Sequence, residues 1–259
     1  MSLWSIIFYI STGLIVLLGI YHWKMLPDPE SNVHKKMVGD DLINIFKTFF
    51  TKKRIVLYIG FILLYRLGES QLCKIASPFL LDSPEAGGLN ISVGQVGFVY
   101  GTVGVIALLL GGLLGGYVIS KYGLKKCLLP MMLALNLPDL VYVYMAYTQP
   151  DNLLLINVFV AIEQFGYGFG FTAFTMFLIY VSQGEYKTAH YSICTGLMSL
   201  GMMLPGMFAG KIQEALGYGN FFAFVCLCTI PAFVLVPFLK IPISFGANVP
   251  DLKRLEDEE

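Results

Sequence analysis

Seven apolar stretches, each long enough to cross a membrane, divide this 259-residue chain one plus six. An α-helix needs about twenty apolar residues to span the hydrocarbon of a bilayer. Trp4–Trp23 is the first such stretch. After a charged interval, Lys24–Arg54, come Ile55–Leu81, Val93–Ser120, Cys127–Tyr147, Leu153–Ser182, Ala189–Ile212 and Phe221–Ile243, joined by short connections. The first stretch has no basic segment before it and is longer than the apolar core of a secretory signal, so it reads as a true span.

Composition excludes the main alternatives. Hydrophobic residues make up 56% of the chain, charged residues 13%, and the mean hydropathy is +0.71. A soluble core of this size does not need so much apolar surface, whereas a polytopic membrane protein does. A net charge of zero gives no footprint for nucleic acid. Cys73, Cys127, Cys194, Cys226 and Cys228 lie in or beside apolar spans without metal-ligand spacing, and read as small apolar fillers.

The placement of basic residues sets the expected orientation. Lys24, Lys35, Lys36, Lys47, Lys52, Lys53, Arg54, Lys121, Lys125, Lys126, Lys187, Lys240, Lys253 and Arg254 fall on one side, and only Lys211 on the other. Fourteen against one makes the first side cytoplasmic, with the C-terminus on it and Met1 outside. The connections Asp82–Ser92, Thr148–Asn152 and Gln213–Asn220 then face outward. Within the charged interval, Val38, Leu42, Ile45, Phe46 and Phe49 recur at helical spacing. They mark either an amphipathic helix on the inner leaflet or a polar linker with some apolar residues.

Glycines four apart (Gly97 and Gly101, Gly111 and Gly115, Gly112 and Gly116, Gly206 and Gly210) predict close helix contacts, whether fixed or moving. Five charged residues lie inside spans: Arg66, Glu69, Lys74, Asp139 and Glu163. Each costs at least ~2.5–3.5 kcal/mol at a helix centre, so they should face the bundle interior, a polar cavity or one another. Arg66, Ser70 and Lys74 are four apart and suggest a net positive interior strip suited to an anionic or polar solute; an internal network that only fixes packing would use the same residues. Glu69 lies three residues from Arg66, within reach of an intrahelical pair. Glu163 is followed on its face by Gly166, Tyr167 and Gly170, which would leave room for a ligand or water. Glu163 or Glu69 is the expected proton-coupling group, unless either is permanently paired to Arg66 or Lys74. Asp139 follows Pro138 and Asn136, as part of a polar helix break or as a packing polar. Gln71, Asn157 and Gln164 are further cavity candidates. No nucleophile triad, metalloprotease motif or phosphate-binding loop is present, so the chain is not expected to be an enzyme.

The segment Gly116-Tyr117-Val118-Ile119-Ser120-Lys121-Tyr122-Gly123-Leu124-Lys125-Lys126 resembles the loop signature of the major facilitator superfamily, G-x-x-x-D-R/K-x-G-R-K/R. Ser120 stands where the signature has Asp, and Leu124 where it has the first Arg. Three further segments are similar to the muropeptide permeases, the AmpG-like branch. They are Tyr65-Arg66-Leu67-Gly68-Glu69 with Ser77–Asp82; Glu163 with Gly166, Gly168 and Gly170; and Gly210–Tyr218 with Phe221-Phe222.

The resemblance implies an all-α membrane protein of major facilitator type with about seven transmembrane helices. Residues 1–23 would be the last helix of an N-terminal half, 24–54 a cytoplasmic linker with an amphipathic helix, 55–245 the six-helix C-terminal half and 246–259 a cytoplasmic tail. It implies proton-coupled uptake of muropeptides across a bacterial inner membrane by alternating access, with the proton motive force as energy source and no cofactor. Arg66, Glu69, Lys74, Asp139, Glu163, Gln71, Gln164 and Tyr167 would line the substrate or proton pathway. Gly116, Ser120, Lys121, Gly123, Lys125 and Lys126 would form a cytoplasmic gating loop. The expected partners are the bilayer, a small polar or anionic solute and a missing N-terminal six-helix half. A transporter of another solute (drug, sugar or acyl-CoA type) and a non-transporting half acting as a membrane scaffold are the rival expectations.

Overall fold

In a computed structural model of the chain, residues 3–25 and 40–248 are described. Lys35, Lys36, Val38, Lys253, Arg254 and most of the tail 246–259 lie outside the described residues. The chain divides into two units, Met1–Asn44 and Ile45–Glu259. The first holds α1 (Leu3–Met25), an uninterrupted apolar helix of 23 residues.

The second unit is a helical bundle whose spans are mostly built from broken helices. The helices α3 (Ile55–Tyr65) and α4 (Leu67–Leu81) meet at Arg66, whose backbone leaves helical geometry (φ −109°, ψ 21°). Next, α5 (Val93–Phe98) passes through a π-helical segment, Val99–Gly104, into α6 (Val105–Tyr122). A second break, at Leu137 and Pro138, separates α7 (Leu124–Asn136) from α8 (Asp139–Thr148). Only α9 (Leu153–Ser182) runs 30 residues without interruption. It is followed by α10 (Lys187–Gly206) and α11 (Ala209–Leu235).

Six described helical segments are long and apolar enough to cross a membrane. The seventh predicted crossing is α10, equally helical but made more polar by Thr188, His190, Ser192, Thr195 and Ser199. The last apolar segment, Ala209–Phe238, is not one straight rod, because Gly217 inside it adopts φ 73°, ψ 164° and turns the chain. Residues 209–216 therefore extend α10 past the kink at Pro205, and residues 218–235 form the final crossing. Glycine suits that turn because a side chain is disfavoured at positive φ. The turn falls inside the connection predicted at Gln213–Asn220.

The three connections predicted on one face do share one end of the bundle. Tyr218 donates to the Asp82 carboxylate at 2.6 Å, Tyr147 to the Asn220 side-chain oxygen at 3.0 Å, and Gln149 reaches the Pro84 carbonyl at 3.4 Å. At the opposite end, Lys52 donates to the carbonyls of Val181 (2.7 Å) and Gln183 (2.8 Å), and Arg54 to that of Phe238 (3.1 Å). The segment after α11 crosses this basic end: Leu124 N–H donates to the Phe245 carbonyl and Asn248 N–H to that of Ser120. Helix α2 (Asp40–Phe50) straddles the two units. Within the second unit its Ile45 and Phe49 are buried, Phe49 lying 5.4 Å from the His190 ring, while Phe46 and Phe50 stay exposed. These two apolar residues of the expected surface helix thus dock on protein.

Two hydrophobic cores form, one near each end. The core near the basic end contains Phe61, Tyr65, Leu135, Ala173, Phe174 and Ala232. The other contains Leu72, Phe79, Tyr142, Val160, Phe222 and Val225. Of the ten buried polar or charged residues among those described, all but Ser182 and His190 fall between them: Arg66, Glu69, Ser70, Gln71, Asn136, Asp139, Glu163 and Thr229. Residues 66–71 separate 65 from 72, residues 136 and 139 separate 135 from 142, Glu163 separates 160 from 173, and Thr229 separates 225 from 232. One polar layer therefore crosses the bundle between two apolar ones.

Glycines hold α9 against its neighbours. A Cβ on Gly168 would collide with the Leu108 carbonyl of α6, one on Gly111 with the Phe165 carbonyl of α9, and one on Gly166 with the Ala134 carbonyl of α7. Of the predicted pairs, Gly111 and Gly115 both pack tightly against α9, and Gly206 lies against the Ser70 carbonyl of α4. Gly97, Gly101, Gly116 and Gly210 meet nothing within 4 Å, so those positions do not bring helices together within this bundle, because they lie on its outer faces.

Two predictions follow from this packing, each read by thermal unfolding in detergent. Gly168→Val should destabilise the bundle by about 3 kcal/mol, at the upper end of overpacking costs, because the obstacle is backbone. Gly116→Ala should be neutral or stabilising by up to ~1 kcal/mol through helix propensity. Equal effects of the two would contradict the packing described.

Candidate functional site

A cavity of about 230 Å³ spans the polar layer and the adjoining edge of the second core; it is lined by Glu69, Leu72, Cys73, Ala76 and Ser77 of α4, Tyr100 of the π-helical segment, Tyr142 of α8, and Glu163 and Gln164 of α9. Three of the expected pathway residues, Glu69, Glu163 and Gln164, come together here. Gln164 donates to Glu163 Oε2 at 2.9 Å, Cys73 Sγ to Glu69 Oε1 at 2.7 Å, and the Tyr100 and Tyr142 hydroxyls lie 2.6 Å apart. Both carboxyl side chains are buried.

Helix irregularity places these groups. The extra residue of the π-helical segment Val99–Gly104 re-aims Tyr100, and π-bulges recur at functional sites. Tyr100, Tyr142 and Ser77 line the cavity although nothing in their spacing marks them for it. Two tyrosines carrying hydroxyls inside otherwise apolar spans were the available signal for the first pair. Cys73 departs from the reading as an apolar filler, being exposed and bonded to Glu69.

Arg66 sits elsewhere in the layer. Its Nη2 donates to the Tyr167 hydroxyl at 2.6 Å, and its guanidinium carbon lies 5.3 Å from the Tyr167 ring centre and 5.0 Å from that of Phe171. Both contacts are of cation–π type. Its Nε has no partner. The Arg66–Glu69 pair that the spacing allows does not form: Arg66 occupies the break before α4, and its side chain is directed to α9 while Glu69 bonds Cys73. Arg66, Ser70 and Lys74 do not make one interior strip either. Arg66 and Ser70 are buried, whereas Lys74 is exposed, its alkyl stem lying over Gly206. The charged groups lining the cavity are carboxylic.

The remaining candidates are dispersed. Asp139 is buried with neither carboxyl oxygen hydrogen-bonded, at the start of α8, which packs against α11. Its neighbour Asn136 bonds back to the Met132 carbonyl at 2.8 Å. Gln71 approaches Cys228 Sγ at 3.4 Å, and its oxygen is unpartnered. Asn157 bonds back to the Leu153 carbonyl at 2.8 Å. Gly166 and Gly170 do not open space beside Glu163, because they press against α7; Tyr167 turns to Arg66.

The Gly116–Lys126 loop lies at the basic end. Gly123 adopts φ 76°, and a Cβ there would collide with the Ile243 carbonyl. Ser120 donates its hydroxyl to the Tyr117 carbonyl at 2.7 Å, Lys121 lies 5.3 Å from the Tyr122 ring centre, and Lys125 and Lys126 are exposed. In this arrangement the loop is a dock for the segment following α11.

No family model matches the chain. Similar curated proteins include one from Rickettsia conorii named "Putative transporter AmpG 4", 26% identical over 203 residues, which are 78% of this chain and 47% of that protein. AmpG 2 of Rickettsia typhi is 26% identical over 214 residues (81% and 50%), and AmpG 1 of Rickettsia bellii 24% identical over 233 residues (88% and 54%). The chain spans about half the length of the curated relatives it matches. Six described apolar helical segments long enough to cross a membrane, a buried polar layer and similarity along most of its length to proteins named putative transporter AmpG support reading this chain as a multi-pass membrane transporter similar to the AmpG-like permeases.

Proposed function

We propose that the chain is the C-terminal half of a proton-coupled muropeptide importer, together with the preceding helix and the linker between halves. Residues 1–23, 24–54, 55–245 and 246–259 take the roles of last N-terminal-half helix, linker, six-helix half and tail. The basic end faces the cytoplasm of a bacterial cell, and the membrane is the inner one.

The observation that carries this reading is the pairing of Glu69 with Glu163 in one cavity at the polar layer. Transporters of this class bind solute near the midplane, between halves that rock about it. Interacting carboxyl groups titrate as a set, so a proton taken up by one is felt by the other. Glu69 and Glu163 would exchange protons with the aqueous phase, and Asp139 would extend that set. When charged, they accept hydrogen bonds from sugar hydroxyls and peptide N–H groups. Lys74, beside Cys73 on the exposed face of α4, would meet an acidic group of the solute. Arg66 would hold α4 to α9 through Tyr167. The missing half would close the other side of the cavity, and the Gly116–Lys126 loop would act at the cytoplasmic gate.

The same lining favours a second reading, a transporter for another solute rich in hydrogen-bond donors. Uptake of labelled anhydro-muropeptide by cells expressing the full-length protein separates the two, since no import would overturn the first. In that assay Glu163→Gln should lower proton-driven uptake about tenfold or more, corresponding to the loss of roughly 1.4 kcal/mol of coupling. Exchange without a proton gradient should persist. Full proton-driven uptake by Glu163→Gln would remove Glu163 from the coupling set.

A further inference from the structure

A second cavity, of about 380 Å³, opens at the basic end between the start of α3, the end of α9 and the segment after α11. Lys52, Lys53, Arg54 and Lys240 line it with Tyr58, Tyr180, Val181 and Gln183, and no carboxylate does. Its framework is built by hydrogen bonds. The Tyr58 and Tyr180 hydroxyls both donate to the Lys240 carbonyl, at 3.2 and 2.6 Å, fixing the backbone that carries the Lys240 ammonium. Lys52 and Arg54 tie the end of α9 and the end of α11 to the start of α3. Burial pulls the Lys52 amine below its usual range, as expected for a cation drawn from water without a counter-charge. Four like charges around one opening repel one another unless an anion occupies it.

The surroundings are apolar on the membrane side. Val56, two residues from Arg54, is 81% exposed, and Phe238, whose carbonyl accepts from Arg54, is 59% exposed. A helix end at the headgroup level of a bilayer, with cations in a pocket and apolar side chains beside it, matches a molecule with a phosphate head and hydrocarbon tails. We propose that this pocket binds the phosphodiester headgroup of an anionic phospholipid, with Lys53 and Lys240 as the principal phosphate contacts and the acyl chains running along Val56 and Phe238. The site is independent of the carboxylate cavity and of whatever solute that cavity takes.

Native mass spectrometry of the full-length chain in detergent, with phosphatidylglycerol, phosphatidylcholine or inorganic phosphate added, tests this directly. Phosphatidylglycerol should be retained in preference to phosphatidylcholine. The double substitution Lys53→Gln with Lys240→Gln should weaken that retention on the order of tenfold or more, since each lysine near a lipid surface contributes comparably. Lys53→Arg with Lys240→Arg should restore retention, and Lys211→Gln, at the opposite end, should leave it unchanged. Equal retention of both lipids, undiminished retention by the double Gln variant, or displacement of phosphatidylglycerol by equimolar inorganic phosphate would each overturn the proposal. The last would mark a free-phosphate site instead.

Discussion

Polar groups held at the middle of a membrane are the constraint around which this bundle is organised. A charged side chain at that depth costs several kcal/mol if it meets lipid. Here eight buried polar residues share one level, with an aromatic-rich core on either side. The two cores fix the helices at both ends. The layer between them is where backbone irregularity collects: the break at Arg66, the π-helical turn at Val99–Gly104 and the break before Asp139. Irregular backbone at membrane depth persists only where protein or a water-filled cavity satisfies it.

Close packing of α9 makes that layer possible. Gly166 and Gly168 bring α9 into backbone contact with α7 and α6 respectively. The approach fixes the rotation of α9 about its own axis, which sets Glu163 and Gln164 towards α4 and turns Tyr167 to Arg66. The Arg66–Tyr167 bond then joins α4 to α9 beside the cavity. A carboxylate pair next to an arginine already engaged by a hydroxyl and two rings differs from a simple ion-pair network. The carboxyl groups are held by neutral donors instead, Glu69 by Cys73 and Glu163 by Gln164.

Much of this was legible in the chain. Apolar runs located the crossings, and the turn expected at Gln213–Asn220 lies at Gly217. Lysine placement separated two ends that the hydrogen bonds independently assemble. The expense of mid-span charge singled out Glu69 and Glu163 with Arg66, Lys74 and Asp139, and of these five Glu69 and Glu163 line the cavity. Counting by four failed at Lys74: Arg66 and Ser70 are buried, but Lys74, one turn further along the same helix, comes out on the exposed face of α4. Spacing also identifies a helical face without saying what the face meets. Gly111 and Gly97 belong to equivalent motifs, yet one abuts a carbonyl and the other meets nothing. Tyr100 and Tyr142 escaped notice because an aromatic in an apolar span carries no periodic signature of its hydroxyl's partner.

The proposed function relies on a polar, exposed strip of α4 next to the layer. Cys73, Lys74 and Ser77 lie together on α4, deep in a span yet outside the two cores. Under the proposed function this surface lines a water-filled pathway shared with a second half; polar side chains are costly against lipid tails. Thiol labelling of Ser77→Cys, in an otherwise cysteine-free full-length protein in membranes, tests this most directly. A water-filled pathway predicts modification by a membrane-impermeant maleimide, slowed by saturating solute. Modification only by a lipid-soluble reagent, with none by the impermeant one, would place that face against the bilayer and contradict it.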